Sequence, residues 1–309
     1  MLIITISFVL ALVSTEIILR FIIKYPTLGV EKKVKGLTDY IYKPYSQYWD
    51  VESGNHLYRR NNIGVQGTDI SLNNKNIYVL GTSYVEARQI PPDKIATSVF
   101  QNKLQDSLTN FQVINLGGSG QDAYDAYFRI TYYEKLYSPD YVILLLDGLY
   151  TNYFKRHKHP LDFRPEPGFG DEVGSLTSRA LIFLRNNSVL INLIARSLKK
   201  SADIDIVEEE TNQNSIVQVD NKIPEELLQC IGEYHLKYKN KFICLSIIDN
   251  DTVNLSLESY CNGKNIFFEY NNEINIKCNK YNGKGHLTAE GNKLLGDFIY
   301  ESFIKFYKK

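Results

Sequence analysis

From Asn76 onward the hydrophobic pattern switches between two periods. Short runs dense in Val, Ile and Leu come first: "NIYVLG" from Asn76, "FQVINLG" (Phe111 to Gly117) and "DYVILLLDG" (Asp140 to Gly148). Runs of this length, apolar at consecutive positions, predict strands covered on both faces, as in a parallel sheet. Between them, "IATSVFQNKLQDSL" (Ile95 to Leu108) and "DAYDAYFRITYYEKL" (Asp122 to Leu136) space their apolar residues as helices do. After a break, Pro224 marks a helix start and Glu225 to Lys237 a helix. The strands "KFICLSIID" and "NIFFEY" follow. A final helix from about Ala289 aligns Leu294, Leu295, Phe298, Ile299, Phe303 and Phe306 in one core-facing stripe. The alternation predicts an α/β domain of three layers, α/β/α, with a five-stranded parallel sheet and right-handed crossovers.

The flanking segments break this pattern. Residues 1–24 form an N-terminal hydrophobic helix: Leu2 to Ile23 carries only Glu16 and Arg20 as charges, at a spacing that lets them pair on a helix. A bilayer-spanning helix needs about 20 apolar residues. A membrane or signal anchor is therefore expected. A cleaved leader is one rival, although no basic n-region follows Met1 and no small-residue cleavage site is evident, and a buried core helix is a third reading, less expected at the extreme N-terminus. The Lys-rich flank beyond the helix does not set the orientation. Residues 25–75, rich in Tyr, Gly and Asn, read as a stalk and an irregular lead-in to a domain over 76–309. Within that domain, 151–222 reads as an insertion over one end of the sheet. It contains a Pro- and His-bearing loop, a helix over Arg179 to Lys200, and a polar, acidic, mobile stretch from Ser201.

Composition narrows the function. Lys+Arg and Asp+Glu are 35 each, so there is no basic excess to neutralise nucleic-acid phosphates and no nucleic-acid partner is expected. The four cysteines, Cys230, Cys244, Cys261 and Cys278, fit no zinc spacing. Cys244 reads as a small core residue. Cys261 and Cys278 bracket a predicted strand and could pair in an oxidising compartment, although connectivity is not readable from sequence. His157 and His159 form an H-x-H with no further ligand in evidence, so neither a metal nor any other cofactor is expected.

In open parallel sheets, ligands bind outside the carboxyl ends of the strands. Ser83, Gly120, Asp147 and Asn152 all fall at or just after such ends, which is a geometric reason to group them. The stretches "GTSYVEA" (Gly81 to Ala87), "NLGGSG" (Asn115 to Gly120) and "NGKGHLTAEGN" (Asn282 to Asn292), in this order, resemble the SGNH hydrolases, also called GDSL-like esterases. The resemblance spans roughly Asn76 to Phe306. The apolar N-terminal segment ending in "EIILR" (Glu16 to Arg20) is similar to the membrane-tethered members of that family.

The resemblance implies Ser83 as nucleophile and His286 as general base, with the amides of Ser83 and Gly120 as oxyanion donors. A serine hydroxyl is a poor nucleophile until an imidazole takes its proton. Thr82 stands where the family has Asp. Asn152 is a displaced candidate for the family's oxyanion asparagine, with Asp147 competing for that corner, and an ionised Asp147 would have to orient some other group. Gly283 occupies the place of the aspartate three residues before the histidine, leaving Asn282 as the nearest polar substitute to orient His286. The implied activity is that of a serine esterase or O-acyltransferase working through an acyl-enzyme on O-acetyl groups of a cell-envelope glycan. Its partners would be a carbohydrate or acylated small molecule, the membrane, and envelope-biosynthesis proteins, with the catalytic domain outside the cytoplasm. The alternative is a catalytically degenerate SGNH fold that binds glycans or acts as a scaffold.

Overall fold

The computed structural model describes residues 1–27, 29–37, 40–50, 56–147, 163–195, 197–198, 223–274 and 286–309. Its centre is a five-stranded sheet made of β5 (Lys75–Leu80), β6 (Phe111–Asn115), β7 (Tyr141–Leu146), β8 (Phe242–Ser246) and β9 (Phe267–Tyr270). The order is β6-β5-β7-β8-β9 and every pairing is parallel. The chain moves outward from β5 to β6, then crosses back to β7 on the other side. This reversal places a topological switch point between β5 and β7, where an open sheet leaves a crevice.

The two-residue period of the strands sorts their side chains between two covered faces. Tyr78, Leu80, Ile114, Leu144 and Cys244 lie in one apolar cluster with α4 (Ala123–Tyr133), α6 (Glu225–Tyr238) and α7 (Asp251–Gly263). Ile77, Val79, Val113, Leu145 and Ile243 lie in the other, with α3 (Ala96–Ser107) and α8 (Ala289–Tyr307). The three-layer α/β/α architecture is as expected from the pattern.

Several local expectations are corrected. Pro26 to Lys75 is more ordered than a stalk: β1 (Val30–Lys33) pairs with β2 (Tyr40–Tyr42), and β3 (Gln47–Asp50) with β4 (His56–Arg59), both antiparallel. Val34, Ile41, Ile63, Val65 and Ile70 from this region are buried in the same cluster as the α4 face of the sheet. The single helix expected over Arg179 to Lys200 is two. The helix α5 (Leu176–Asn187) ends at an extended Ser188, whose hydroxyl accepts from the Ile191 amide at 3.1 Å and opens a second helical stretch. In α8 Leu294 is exposed, whereas Leu295, Phe298, Ile299 and Phe303 are buried. The helix α7 lies between the last two strands, its Val253, Leu257 and Cys261 turned inward at i, i+4 and i+8.

Cys230, Cys244 and Cys261 are buried free thiols, so Cys261 is a core residue of α7. Cys278, the histidines at 157 and 159, and the acidic stretch from Ser201 lie outside the described residues. At the N-terminus, α1 (Leu2–Ile17) continues through a π-helical turn to Ile22 and buries no side chain.

Candidate active site

β5 ends at Leu80, and the chain turns through Gly81 into the four-residue helix α2 (Ser83–Glu86). Thr82 caps α2, its hydroxyl oxygen accepting from the Tyr84 amide at 3.3 Å. Ser83 is thereby placed at the first helical position, directly above the carboxyl end of the sheet. It is 7% exposed.

His286 comes from the opposite end of the chain, 203 residues away, and its Nε2 lies 3.1 Å from Ser83 Oγ. With Nε2 unprotonated, the serine hydroxyl donates to it, the geometry a general base requires. The Tyr84 ring flanks the imidazole, with centroids 6.3 Å apart. The backbone beside His286 is held from two sides. Gln89 Nε2 donates to the Leu287 carbonyl at 3.3 Å. Asn292, fully buried, accepts from the Ala96 amide at 3.2 Å and donates to the Thr288 carbonyl at 3.0 Å, locking the start of α8 to the start of α3. Thr288 caps α8.

The loop after β6 is tied to α2 rather than standing alone. Asn115, buried, donates through Nδ2 to the Val85 carbonyl (2.8 Å) and to Thr97 Oγ1 (3.0 Å), and its Oδ1 accepts from the Gly117 amide (2.9 Å). Gly117 packs so closely on α2 that a Cβ there would collide with the backbone of Val85 and Glu86. Glu86 completes the tie. Its carboxylate is almost fully buried, accepts from the Ser119 amide (2.8 Å) and hydroxyl (2.6 Å), and pairs with Arg88 through Nε (2.6 Å). The next residue, Gly120, has φ +72°, a conformation suited to glycine, and is exposed. Among the described residues neither the Ser83 nor the Gly120 amide donates a hydrogen bond.

Asp147, just past β7, is fully buried and accepts a hydrogen bond from the Thr82 hydroxyl across the β5–β7 switch point. It holds the cap of the helix that begins at Ser83. Asn152 and Asn282 lie outside the described residues. Glu86, Gln89 and Thr97 have no part in the sequence reading. A signal for Glu86 was present: Ser83-x-x-Glu86 has the spacing of a capping box. In the fold the cap is one residue earlier, and Glu86 reaches Ser119 instead. Among the described residues no cluster of three or more His, Cys, Asp or Glu is placed to hold a metal.

No protein-family model matches the chain. No curated protein matches it. Chains of solved structures do. The psychrotrophic esterase EstA of a Pseudoalteromonas species is 12% identical, with 76% of this chain and 100% of that one covered, at a TM-score of 0.45. A putative lipolytic protein of the G-D-S-L family from Desulfitobacterium hafniense is 14% identical, over 74% and 99% of the two chains, at 0.41. A two-domain esterase active on acetylated mannans is 12% identical, over 76% of this chain and 50% of that chain, at 0.43.

Proposed function

We propose that this chain is a membrane-anchored serine esterase or O-acyltransferase of SGNH type that works through an acyl-enzyme at Ser83. The observation that carries the reading is the 3.1 Å approach of His286 Nε2 to Ser83 Oγ. In the first step Ser83 Oγ attacks the ester carbonyl carbon and its proton passes to Nε2. The carbonyl oxygen becomes an oxyanion, to which the amides of Ser83 and Gly120 are the proposed donors; one such donor is worth about 3 kcal/mol of transition-state stabilisation. Collapse expels the alkoxide, which takes the proton from the imidazolium. Water, or a sugar hydroxyl, then attacks the acyl-enzyme with His286 again as base. Asp147 would act on Ser83 through Thr82 rather than on the oxyanion. Asn152 remains the proposed third donor, and Asn282 the proposed partner of the second imidazole nitrogen.

O-acetyl groups of a cell-envelope glycan are the proposed substrate, with the catalytic domain outside the cytoplasm. This follows from the family resemblance and from the tether. Leu2–Ile22 is a helix long and apolar enough to cross a membrane. Its end is also hydrogen-bonded into the folded body: the Glu16 carboxylate accepts from the Ser188 hydroxyl and from the Val189 and Leu190 amides at 2.8–3.0 Å. Those contacts support a retained anchor over a cleaved leader.

The test uses the full chain in nanodiscs with p-nitrophenyl acetate and a fluorophosphonate probe. A burst of nitrophenol and covalent labelling are expected, both lost in Ser83→Ala. Absence of acylation in the wild type would overturn the proposal. With an O-acetylated glycan as donor, a competing sugar hydroxyl that captures the acetyl group identifies a transferase, and free acetate alone a hydrolase.

A further inference from the structure

The helix α5 belongs to a folded protein yet buries no side chain. Asn186 on one of its faces donates to the Val30 carbonyl at 2.6 Å, and Arg185 donates to the buried Asn192 at 3.1 and 3.2 Å, so that face looks at the body. The opposite face carries Leu176, Leu181, Phe183 and Leu184, with Leu176 85% and Phe183 65% exposed. The helical stretch after Ser188 continues the pattern with Ile194 and Leu198, the latter 67% exposed. Single exposed leucines are ordinary, but a continuous apolar stripe on an otherwise bare helix marks a contact surface.

Where this stripe lies relative to α1 decides what covers it. Glu16 of α1 accepts both amides that open the second helical stretch, and Arg20 donates to the carbonyl of Asn187, the last residue of α5. Asn192 donates to the carbonyl of Pro26, just beyond α1. The junction of the two helices is therefore bolted to the last turns of α1. Glu16 lies six residues before Ile22, the end of the apolar segment. At the α-helical rise this is about 9 Å inside that end. An interfacial amphipathic helix buries its apolar face by about 5–10 Å into the boundary of headgroups and acyl chains. The polar side of α5 is already engaged with the protein, Arg185 with Asn192 and Arg179 with Glu172 at 3.7 Å, which leaves the apolar side as the face turned outward.

We propose that α5 and the helical stretch after Ser188 form a collar around the base of α1 that lies in the bilayer surface, with Leu176, Leu181, Phe183, Leu184, Ile194 and Leu198 in contact with lipid. The inference rests on the anchor reading given above. The collar would set the height and tilt of the Ser83–His286 site over the membrane, because α5 is joined to β1 through Asn186 and Val30.

Brominated-lipid quenching of tryptophan tests this in the full chain, which contains one tryptophan, Trp49. In a Trp49→Phe background, three single-tryptophan variants are placed in vesicles with an anionic lipid fraction: Phe8→Trp in α1, Phe183→Trp in α5, and Leu236→Trp, an exposed position on α6 outside the collar. Lipids brominated high on the acyl chain are expected to lower F183W emission roughly twofold, as for an interfacial residue. Lipids brominated at mid-chain should quench F8W, and neither lipid should quench L236W. Quenching of F8W without F183W overturns the collar and leaves the anchor standing. Quenching of neither overturns both. Equal quenching of F183W and L236W also overturns the collar, because the contact would then be nonspecific.

Discussion

Thr82 and Glu86 bracket the proposed nucleophile and do different work. Thr82 donates to the buried Asp147 while capping α2. Replacing it with aspartate, the residue usual at this place in the family it resembles, would set two buried carboxylates against each other. Two such groups favour sharing one proton. Thr82→Asp is therefore expected to destabilise the fold by roughly 1–3 kcal/mol at neutral pH, and by less as the pH falls toward the carboxylate range. Urea unfolding at two pH values measures this. Glu86 touches no reacting atom and is a positioning residue for the loop that carries Gly120. Glu86→Gln retains the volume but weakens both bonds to Ser119, and kcat is expected to fall roughly tenfold to a hundredfold with KM little changed. Stopped-flow acylation and an unchanged midpoint of thermal unfolding would separate mispositioning from misfolding. Glu86→Asp, with its shorter reach, should not rescue the activity.

At the scale of elements, the proposed machinery depends on how closely three segments approach. Gly117 presses on α2, and a methyl group there would meet the backbone of Val85 and Glu86. Gly117→Ala is expected to cost about 1–3 kcal/mol by overpacking and to lower the rate of fluorophosphonate labelling, since α2 must shift under Ser83. The strands of the sheet were readable because a strand covered on both faces is apolar at nearly every position. The helix α7 is not legible in the sequence, since "DTVNLSLESYCNG" turns only Val253, Asn254, Leu257 and Cys261 inward and scatters polar residues between them. β1 to β4 are three- and four-residue strands whose registers are set by pairing rather than by a long alternating pattern. The break at Ser188 is a tertiary effect as well, because the helix that follows is capped partly by Glu16 from the far end of the chain.

The whole molecule is tyrosine-rich, and many of its phenols are buried. Burial, together with nearby Glu233 and Glu134, pushes Tyr127 up to about 12. Burial first, and acidic neighbours second, raise Tyr58, Tyr78 and Tyr238 further. Each raised phenol contributes stability that is fully present below the ordinary tyrosine value near 10 and is lost as the pH rises through its folded value. The melting temperature is therefore expected to show no tyrosine-linked change below pH ~10 and to fall steeply above it, with a subset of phenols ionising only on unfolding. Ultraviolet titration alongside thermal unfolding checks both. The buried thiols of Cys230 and Cys244, also raised by burial, should resist alkylation until denaturant is added.

By itself the sequence determined the five strands of the central sheet and most of the helices between them, the apolar N-terminal helix, and the place of Ser83, Gly120 and Asp147 at or just after strand ends, because burial and backbone period are written into local pattern. Only the tertiary structure decided that Ser83 and His286 meet across 203 residues, that Asp147 faces Thr82, and that Glu86 holds Ser119. The reason is physical. Hydrophobic burial is a property of positions and needs no named partner. A hydrogen bond between side chains depends on distances of a few tenths of an ångström that only the packed elements define.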